Sequence, residues 1–300
     1  MNAVRMKAIV FGGSGFLGSH VADTLTEDGY DVVIYDLKPS RYIKSNQRMI
    51  IGDILDEDKV KDSVKGCDYI YHFAGIADLD DAGTRSLETI VQNVQGTVVL
   101  LEAAKTAKAK RFIFASTVYV YSDKGGFYRC SKQSAELYIE EYQRRYGLGY
   151  TILRYGTVYG PRADRRNSVY RYLRDGLSKK KIVCPAHGEE MREYVHVRDA
   201  ARLSADILSD KHENKYIIIT GHHPMKFKEF LFTIREIMGD GIEIEFGTPN
   251  TAHYNLTPYS FTPKVGYKLT SDCYVDLGQG LLECINEIHS SSHTVEERVK

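Results

Sequence analysis

Apolar runs of strand length alternate with stretches of helical periodicity through the first half of the chain. Lys7-Ala8-Ile9-Val10-Phe11 is the first run, and after it His20, Val21, Ala22 and Leu25 fall at helical spacing until Asp28-Gly29 ends the pattern. Further runs follow at Val32 to Tyr35, Ile50-Ile51, Tyr69 to Phe73, Arg111 to Ala115 and Tyr150 to Tyr155. Between them lie a polar helix across residues 56 to 65, an amphipathic segment from Leu87 to Lys105, and a helix opened by Tyr128 that stops at Gly147. In the amphipathic segment Val91, Val94, Val98, Leu101 and Ala104 form one stripe. This alternation predicts an α/β fold, a parallel sheet with helices on both faces.

The pattern changes after residue 160. Residues 163 to 181 are polar and basic with one helical stretch, and residues 222 to 300 lose the regular alternation. Residues 161–192 and 222–300 are therefore expected to form a smaller lobe. Residues 193–221, with Tyr194 to Val197, a helix near Asp199 to Leu208 and the run Tyr216 to Ile219, are expected to return to the main sheet of residues 1–160. The polar tail from Ser290 is expected to fray.

Candidate chemistry begins at the first turn, Gly12-Gly13-Ser14-Gly15-Phe16-Leu17-Gly18. Strand, glycine turn and helix in that order bring backbone close to a diphosphate. Gly12 permits the tight turn, Gly15 leaves no Cβ in the way, Gly18 lets the helix pack on its strand, and the helix N-terminus points N–H groups at the anion. An ordinary glycine loop is the competing reading of the turn alone. The second run, however, ends in Asp36, where a dinucleotide fold places the carboxylate for the ribose hydroxyls of NAD. That carboxylate would repel a 2′-phosphate, whereas Lys38 and Arg41 close behind keep NADP open.

Composition narrows the partners. Lys plus Arg and Asp plus Glu both number 40 among 300 residues, so no net field points to nucleic acid or an anionic membrane. Lys179-Lys180-Lys181 reads as a solvated helix end. No apolar leader and no bilayer-length run are seen, and a cytoplasmic protein is expected. Five cysteines without a Cys-x-x-Cys pair argue against a disulfide framework or zinc, His222-His223 reads as loop, and no metal is expected.

The run Arg111 to Ala115 delivers Ser116 and Thr117 to the carboxyl edge of the sheet, and one loop later Tyr128 and Lys132 stand four apart on one helix face. A phenol is a poor base at its ordinary pKa, but a neighbouring ammonium and a cationic nicotinamide favour the phenolate. Hydroxyl, phenol and ammonium together suit proton and hydride transfer at an alcohol. A helix-surface pair is the bland alternative.

With these residues in place, the chain resembles the extended short-chain dehydrogenase/reductases, specifically the NAD-dependent nucleotide-sugar epimerase/dehydratase family. The resemblance covers almost the whole length. It is carried by Gly12-x-x-Gly15-x-x-Gly18, Asp36, Gly52-Asp53, His72-Phe73-Ala74-Gly75, Asn93-Val94-Gln95-Gly96-Thr97, Ser116-Thr117, Tyr128-x-x-x-Lys132, Arg154 to Arg162 and Arg192 to Asp199. It implies a Rossmann-type doubly wound sheet with a smaller substrate-binding lobe. It makes Thr117 the catalytic hydroxyl, Tyr128 the acid/base, and Lys132 the residue that holds the nicotinamide ribose and tunes the phenol. Cofactor contacts are implied for Gly12, Gly15, Phe16, Leu17, Asp36, Phe73, Ala74, Gly75, Asn93 and Tyr155, with Asp53 and Ile54 beside the adenine. Substrate contacts are implied for Thr117, Thr157 and Arg192, the last gripping the nucleotide diphosphate; a salt bridge to Glu189 or Glu190 is its competing role. The two long helices imply a homodimer.

Departures from the family pattern narrow the reaction. Dehydratases carry Asp-Glu directly after the catalytic threonine, and decarboxylases keep a glutamate two residues after it; here those positions are Val118 and Tyr119. Neither supplies a carboxylate, so C4 epimerisation of a nucleotide sugar through a transient 4-keto sugar is expected. A 4-ketoreductase or dehydrogenase with exchangeable NAD(P)H uses the same residues and is the alternative. A non-enzymatic NAD-sensing or scaffold protein is disfavoured by intact Tyr128 and Lys132. Thr157 replaces a usual asparagine and Ser122 a usual glycine, which bears on the substrate pose.

Overall fold

The computed structural model describes residues 5–122, 124–184, 187–239, 241–247 and 266–296. Part of the expected small lobe, residues 248–265 and 297–300, lies outside these, as do residues 1–4. In chain order the elements are β1 (Lys7–Phe11), α1 (Phe16–Glu27), β2 (Asp31–Asp36), β3 (Arg48–Ile51), α2 (Glu57–Ser63), β4 (Tyr69–His72), α3 (Leu79–Thr84), α4 (Ser86–Ile90), α5 (Gly96–Ala107), β5 (Arg111–Thr117), α6 (Gly126–Tyr146), β6 (Tyr150–Tyr155) and β7 (Thr157–Tyr159). They continue with α7 (Ser168–Lys179), β8 (Lys181–Cys184), β9 (Met191–His196), α8 (Val197–Asp206), β10 (Lys215–Ile219), β11 (Pro224–Lys226), α9 (Phe227–Met238), β12 (Glu243–Phe246), β13 (Gly266–Leu269) and α10 (Leu277–Glu296).

Eight strands form one parallel sheet in the order β13-β10-β6-β5-β4-β1-β2-β3. This is the Rossmann-type doubly wound arrangement. The strand order reverses between β1 and β4, and in such sheets ligands bind in the crevice at the carboxyl ends there. Both faces are covered because both sets of alternating strand residues are apolar. Ile9, Phe11, Val33 and Ile70 pack with Leu100, Ala104 and Ile139 of α5 and α6, whereas Ala8, Val10, Val32 and Ile34 pack with Val21, Leu25, Ala201 and Leu203 of α1 and α8. Each of the Val, Leu, Ile and Phe side chains among these contributes roughly 1.5–3 kcal/mol by leaving water. A third core, including Leu173, Phe227, Phe230, Ile234 and Leu281, joins α7, α9 and α10. No helix of the described residues is long and apolar enough to cross a membrane.

Four expectations are corrected. First, β9 does not join the main sheet: it pairs in parallel with β7 and antiparallel with β11. The chain leaves the main sheet at Gly156, whose N–H donates to Ile219 O at 3.0 Å, so the strand after it belongs to a separate ribbon. Only β10 of residues 193–221 enters the main sheet. Second, β13 from the expected lobe extends that sheet beyond β10; four residues with a lysine at an edge give too weak a pattern to read.

Third, the stripe Val91, Val94, Val98, Leu101 and Ala104 does not face one way: the three valines are half-buried, whereas Leu101 and Ala104 are buried in the core. A π-turn at Val91–Gln95 inserts an extra residue per turn and rotates the face, so Thr89, Asn93 and Thr97 point inward instead. Fourth, the tail from Ser290 is helical as far as Glu296.

Candidate functional site

The glycine turn closes as its chemistry requires. Gly12 has φ +81, and a Cβ there would stand 2.6 Å from Ala74 N, so the turn and the loop after β4 touch backbone to backbone. A Cβ on Gly18 would lie 2.3 Å from Gly12 O. Gly15 caps α1 without any side-chain bond, and the first turn of the helix carries no acidic residue, leaving its N–H groups for an anion. Phe16 and Leu17 open that helix, Leu17 against the core and Phe16 edge-on to His20. Gly18→Ala is expected to cost about 1–3 kcal/mol in overpacking and to empty the protein of cofactor; thermal unfolding and assay of nicotinamide released on denaturation check both.

Asp36 ends β2 beside the turn. Its Oδ2 accepts from Ser14 N at 3.0 Å and its Oδ1 from Lys38 N at 3.2 Å, so the carboxylate is aimed by backbone while staying partly exposed. Asp53 O accepts from the Tyr35 phenol at 2.8 Å, Asp53 Oδ1 holds Leu55 N at 3.0 Å, and Ile54 is buried against Gly96. A glycine cradle that any Cβ would fill, an uncapped helix end and a carboxylate at the adjoining strand end fit a dinucleotide's pyrophosphate and ribose.

Phe73, Ala74 and Gly75 follow β4 into the same crevice, but Phe73 turns its ring toward Tyr71 and Tyr155. Two residues expected at the cofactor spend their polar atoms inside the protein. Asn93 accepts from Ile76 N at 2.7 Å and donates to Ile76 O and to Ser131 Oγ, both at 2.9 Å. Ser131 Oγ in turn donates to Tyr128 O at 2.8 Å, so Asn93 registers the β4 loop against α6. Tyr155 shares a 2.7 Å hydrogen bond with Ser204 Oγ on the α8 side, which removes its phenol from the crevice.

At the end of β5 the structure brings Thr117, Tyr128 and Lys132 together. The Thr117 hydroxyl is a hydrogen-bond neighbour of the Tyr128 phenol. Burial pushes that phenol above its ordinary value, Tyr119 adds to the push, and Thr117 pulls against it. The Lys132 Nζ donates to Ala115 O at 2.8 Å and stands 5.8 Å over the Tyr128 ring centre. Lys132 is itself buried, which lowers it to about 8, with Glu136 pulling upward.

A pH dependence follows. Chemistry that needs the Lys132 cation is expected to weaken as pH rises through about 8. The unfolded lysine keeps its proton up to 10.5, so the unfolded state binds more protons between about 8 and 10.5 and folding stability rises with pH across that window. The pH profiles of kcat/KM and of thermal unfolding read the two effects separately.

Beneath Lys132 lies a buried network that sequence reading missed. Glu136 Oε1 accepts from Ser116 Oγ at 2.6 Å and from Arg154 Nε at 3.1 Å, and Glu136 Oε2 accepts from Arg154 Nη2 at 2.6 Å. The Arg154 guanidinium lies 4.6 Å from the Tyr121 ring centre and 4.4 Å from that of Tyr216. Tyr128, Lys132 and Glu136 recur every four residues on α6, but that spacing alone does not show that Glu136 is buried against Arg154 of a distant strand.

Arg192 sits on β9, buried, with its guanidinium 4.1 Å from the Phe227 ring centre and 3.1 Å from Glu190 Oε1. The alternative salt bridge is thus present, and it faces inward rather than to solvent. Tyr119, Tyr172 and Tyr194 are close enough to influence the same guanidinium electrostatically. Thr157 is half-buried on β7, paired with Tyr194. Ser122 replaces the usual glycine productively: its hydroxyl donates to Tyr119 O at 3.2 Å and accepts from Lys124 N at 3.1 Å, closing the turn that follows Thr117.

Sheet and site together define the class, the extended short-chain dehydrogenase/reductases. The model of the NAD dependent epimerase/dehydratase family matches residues 8–219, and the chain belongs to that family. NAD is its cofactor. The chain is 29% identical to the Methanocaldococcus jannaschii protein named "Putative UDP-glucose 4-epimerase" over 95% of its own length and 99% of that protein's. It is 29% identical to mouse dTDP-D-glucose 4,6-dehydratase, covering 68% of itself and 64% of the dehydratase. The solved structure of Thermotoga maritima UDP-glucose 4-epimerase with UDP-glucose superimposes with a TM-score of 0.82 at 26% identity, over 95% of this chain and 99% of that one. An epimerase and a dehydratase stand at the same identity, so the reaction is argued from the residues.

Proposed function

We propose that the protein is a nucleotide-sugar C4 epimerase working through a transient 4-keto sugar with retained NAD. The observation that carries this reading is the pair after Thr117. Val118 is buried in the core and Tyr119 has no carboxylate, while Glu136 is held by Arg154 and Ser116. Water elimination and decarboxylation therefore lack their acid or base, and Tyr128 with Thr117 remains for proton transfer at a carbinol.

In this mechanism Thr117 holds the sugar's 4-hydroxyl in line, Tyr128 takes its proton and later returns one, and Lys132 holds the cofactor ribose. NAD, when bound, supplies a hydride acceptor that gives the hydride back, and in its oxidised form a positive charge that favours the phenolate. Arg192 binds the diphosphate in competition with Glu190, and Thr157 lines the sugar pocket. The segments 161–192 and 222–300 serve as the substrate lobe.

A panel of UDP-, dTDP- and GDP-sugars tests the reading. A C4 epimer formed without change in nicotinamide absorbance supports it; stoichiometric NAD(P)H turnover would make the protein a ketoreductase or dehydrogenase.

The homodimer belongs to the same reading. Leu87 and Ile90 on α4 and Leu137 and Tyr138 on α6 are exposed on helices that pack side by side, an apolar face that a second copy would cover. Light scattering is expected to give twice the monomer mass, and Leu87→Glu with Leu137→Glu is expected to halve it.

A further inference from the structure

Arg162 lies in the connection from β7 to α7, and its backbone is left-handed, with φ +67. Three other described non-glycine residues share that conformation, but Lys108 and Lys180 cap the C-termini of α5 and α7, and Asn214 is of a type that tolerates it. Arg162 ends no helix. A non-glycine residue is held in such a conformation only where its surroundings over-determine it.

Those surroundings reach in two directions. The Arg162 N–H donates to both carboxylate oxygens of Glu287 on α10, at 3.1 and 2.9 Å. Its guanidinium reaches α1, donating from Nη2 to Asp23 Oδ2 at 2.8 Å and from Nη1 to Ser19 Oγ at 3.3 Å, and it lies 4.4 Å from the Tyr42 ring centre. One residue earlier, Pro161 O accepts from His20 Nε2 of α1 at 3.1 Å.

Each end of this link belongs to a binding element. Ser19 stands one turn into α1, its N–H bonded to Gly15 O, so the guanidinium is fixed to the helix whose N-terminus is open to the pyrophosphate. Glu287 lies on the helix whose Leu281, Cys284 and Ile288 share a core with Phe227, and the Arg192 guanidinium rests on the Phe227 ring. One residue therefore ties the helix behind the dinucleotide to the layer that supports the diphosphate anchor. We infer, on the nucleotide-sugar reading above, that Arg162 is a positioning residue that seats the substrate lobe on the cofactor helix. It acts through α1 and through the support of Arg192, and so sets where the nucleotide sugar lies relative to the nicotinamide.

The test uses the NAD-loaded protein as wild type, Arg162→Gly, Arg162→Lys, Glu287→Ala and the double variant Arg162→Gly with Glu287→Ala. Calorimetric titration with UDP and dTDP and steady-state rates on the best nucleotide sugar are the readouts, with melting temperature as the control. Glycine accepts the left-handed backbone and keeps the N–H for Glu287, so Arg162→Gly is expected to melt near wild type. Its KM for the nucleotide sugar and its Kd for the diphosphates are expected to rise about 5–20-fold, within the range for coupled sites. Its kcat should stay within about twofold of wild type, because Thr117, Tyr128 and Lys132 are seated on β5 and α6.

Arg162→Lys keeps a charge opposite Asp23 but also keeps the strained backbone, so it should bind better than Arg162→Gly. The reverse order overturns the inference, because it assigns the effect to the backbone alone. The double variant is expected to lose no more than the weaker-binding single variant, since either change cuts the same link. Losses that add overturn the inference, as do unchanged KM and Kd in Arg162→Gly. If wild type itself binds neither diphosphate nor nucleotide sugar, the nucleotide-sugar reading falls first and takes the inference with it.

Discussion

Tyr128→Phe is expected to lower turnover by about 10²–10⁴-fold, the usual contribution of a positioned acid/base, while NAD remains bound. The ring keeps its volume, so packing against the β5 edge survives; what is lost is the oxygen beside the Thr117 hydroxyl. Thr117 cannot substitute, because an aliphatic hydroxyl is a far weaker acid than a phenol. Lys132 cannot either: its ammonium is tied to Ala115 O, and it faces the Phe114 ring at 4.6 Å. Steady-state rates on the best nucleotide sugar, together with cofactor content after denaturation, decide the matter. A variant retaining more than about a tenth of wild-type turnover would remove Tyr128 from the chemistry.

The second large effect concerns stability. Glu136→Ala is expected to cost about 3–5 kcal/mol, because it leaves the Arg154 charge buried and unpaired. Both partners are almost fully excluded from solvent, with side chains 1% and 2% exposed, so water cannot compensate. A melting-temperature drop on the order of 10 °C is expected for a chain of this size. The double replacement Glu136→Met with Arg154→Met should lose much less than Glu136→Ala alone, since an apolar pair that fills most of the same volume leaves no buried charge unpaired. The same variant removes the carboxylate that pulls Lys132 upward, so the alkaline limb of the activity profile should move below about 8. If Glu136→Ala melts with wild type, the pair is not holding the β5–β6 edge to α6.

The fold was legible wherever the pattern is local and strong. Parallel strands buried on both faces read as unbroken apolar runs, so β1, β2, β4, β5 and β6 stand where the periodicity put them. The glycine turn was legible for a different reason: backbone must touch backbone at Gly12 and Gly18, and only one residue type allows it.

The misreadings share a cause, which is that the deciding interaction lies far away in sequence. The edge strand β13 needs β10 to exist, β9 is claimed by β7 and β11, and the π-turn at Val91–Gln95 carries Asn93, whose side chain bonds Ile76 and Ser131. Thr117, Tyr128 and Lys132 could be singled out because their chemistry is particular and two of them share a helix face. Glu136 and Arg154 could not, because a glutamate on a helix and an arginine on a strand are each unremarkable until the fold buries them together. Side-chain partners were not legible either: Asn93 bonds Ser131 and Tyr155 bonds Ser204, both far away in sequence.

The central claim is that hydride leaves C4 and returns to C4 on a cofactor that stays in place. The most direct measurement uses a nucleotide sugar deuterated at C4, incubated with the purified protein in the presence of excess unlabelled NAD, with products analysed by mass spectrometry and NMR. The account predicts a C4 epimer that keeps its deuterium at C4, with none in the external cofactor. Deuterium appearing in the free dinucleotide pool, or an epimer that has lost it, would contradict the account.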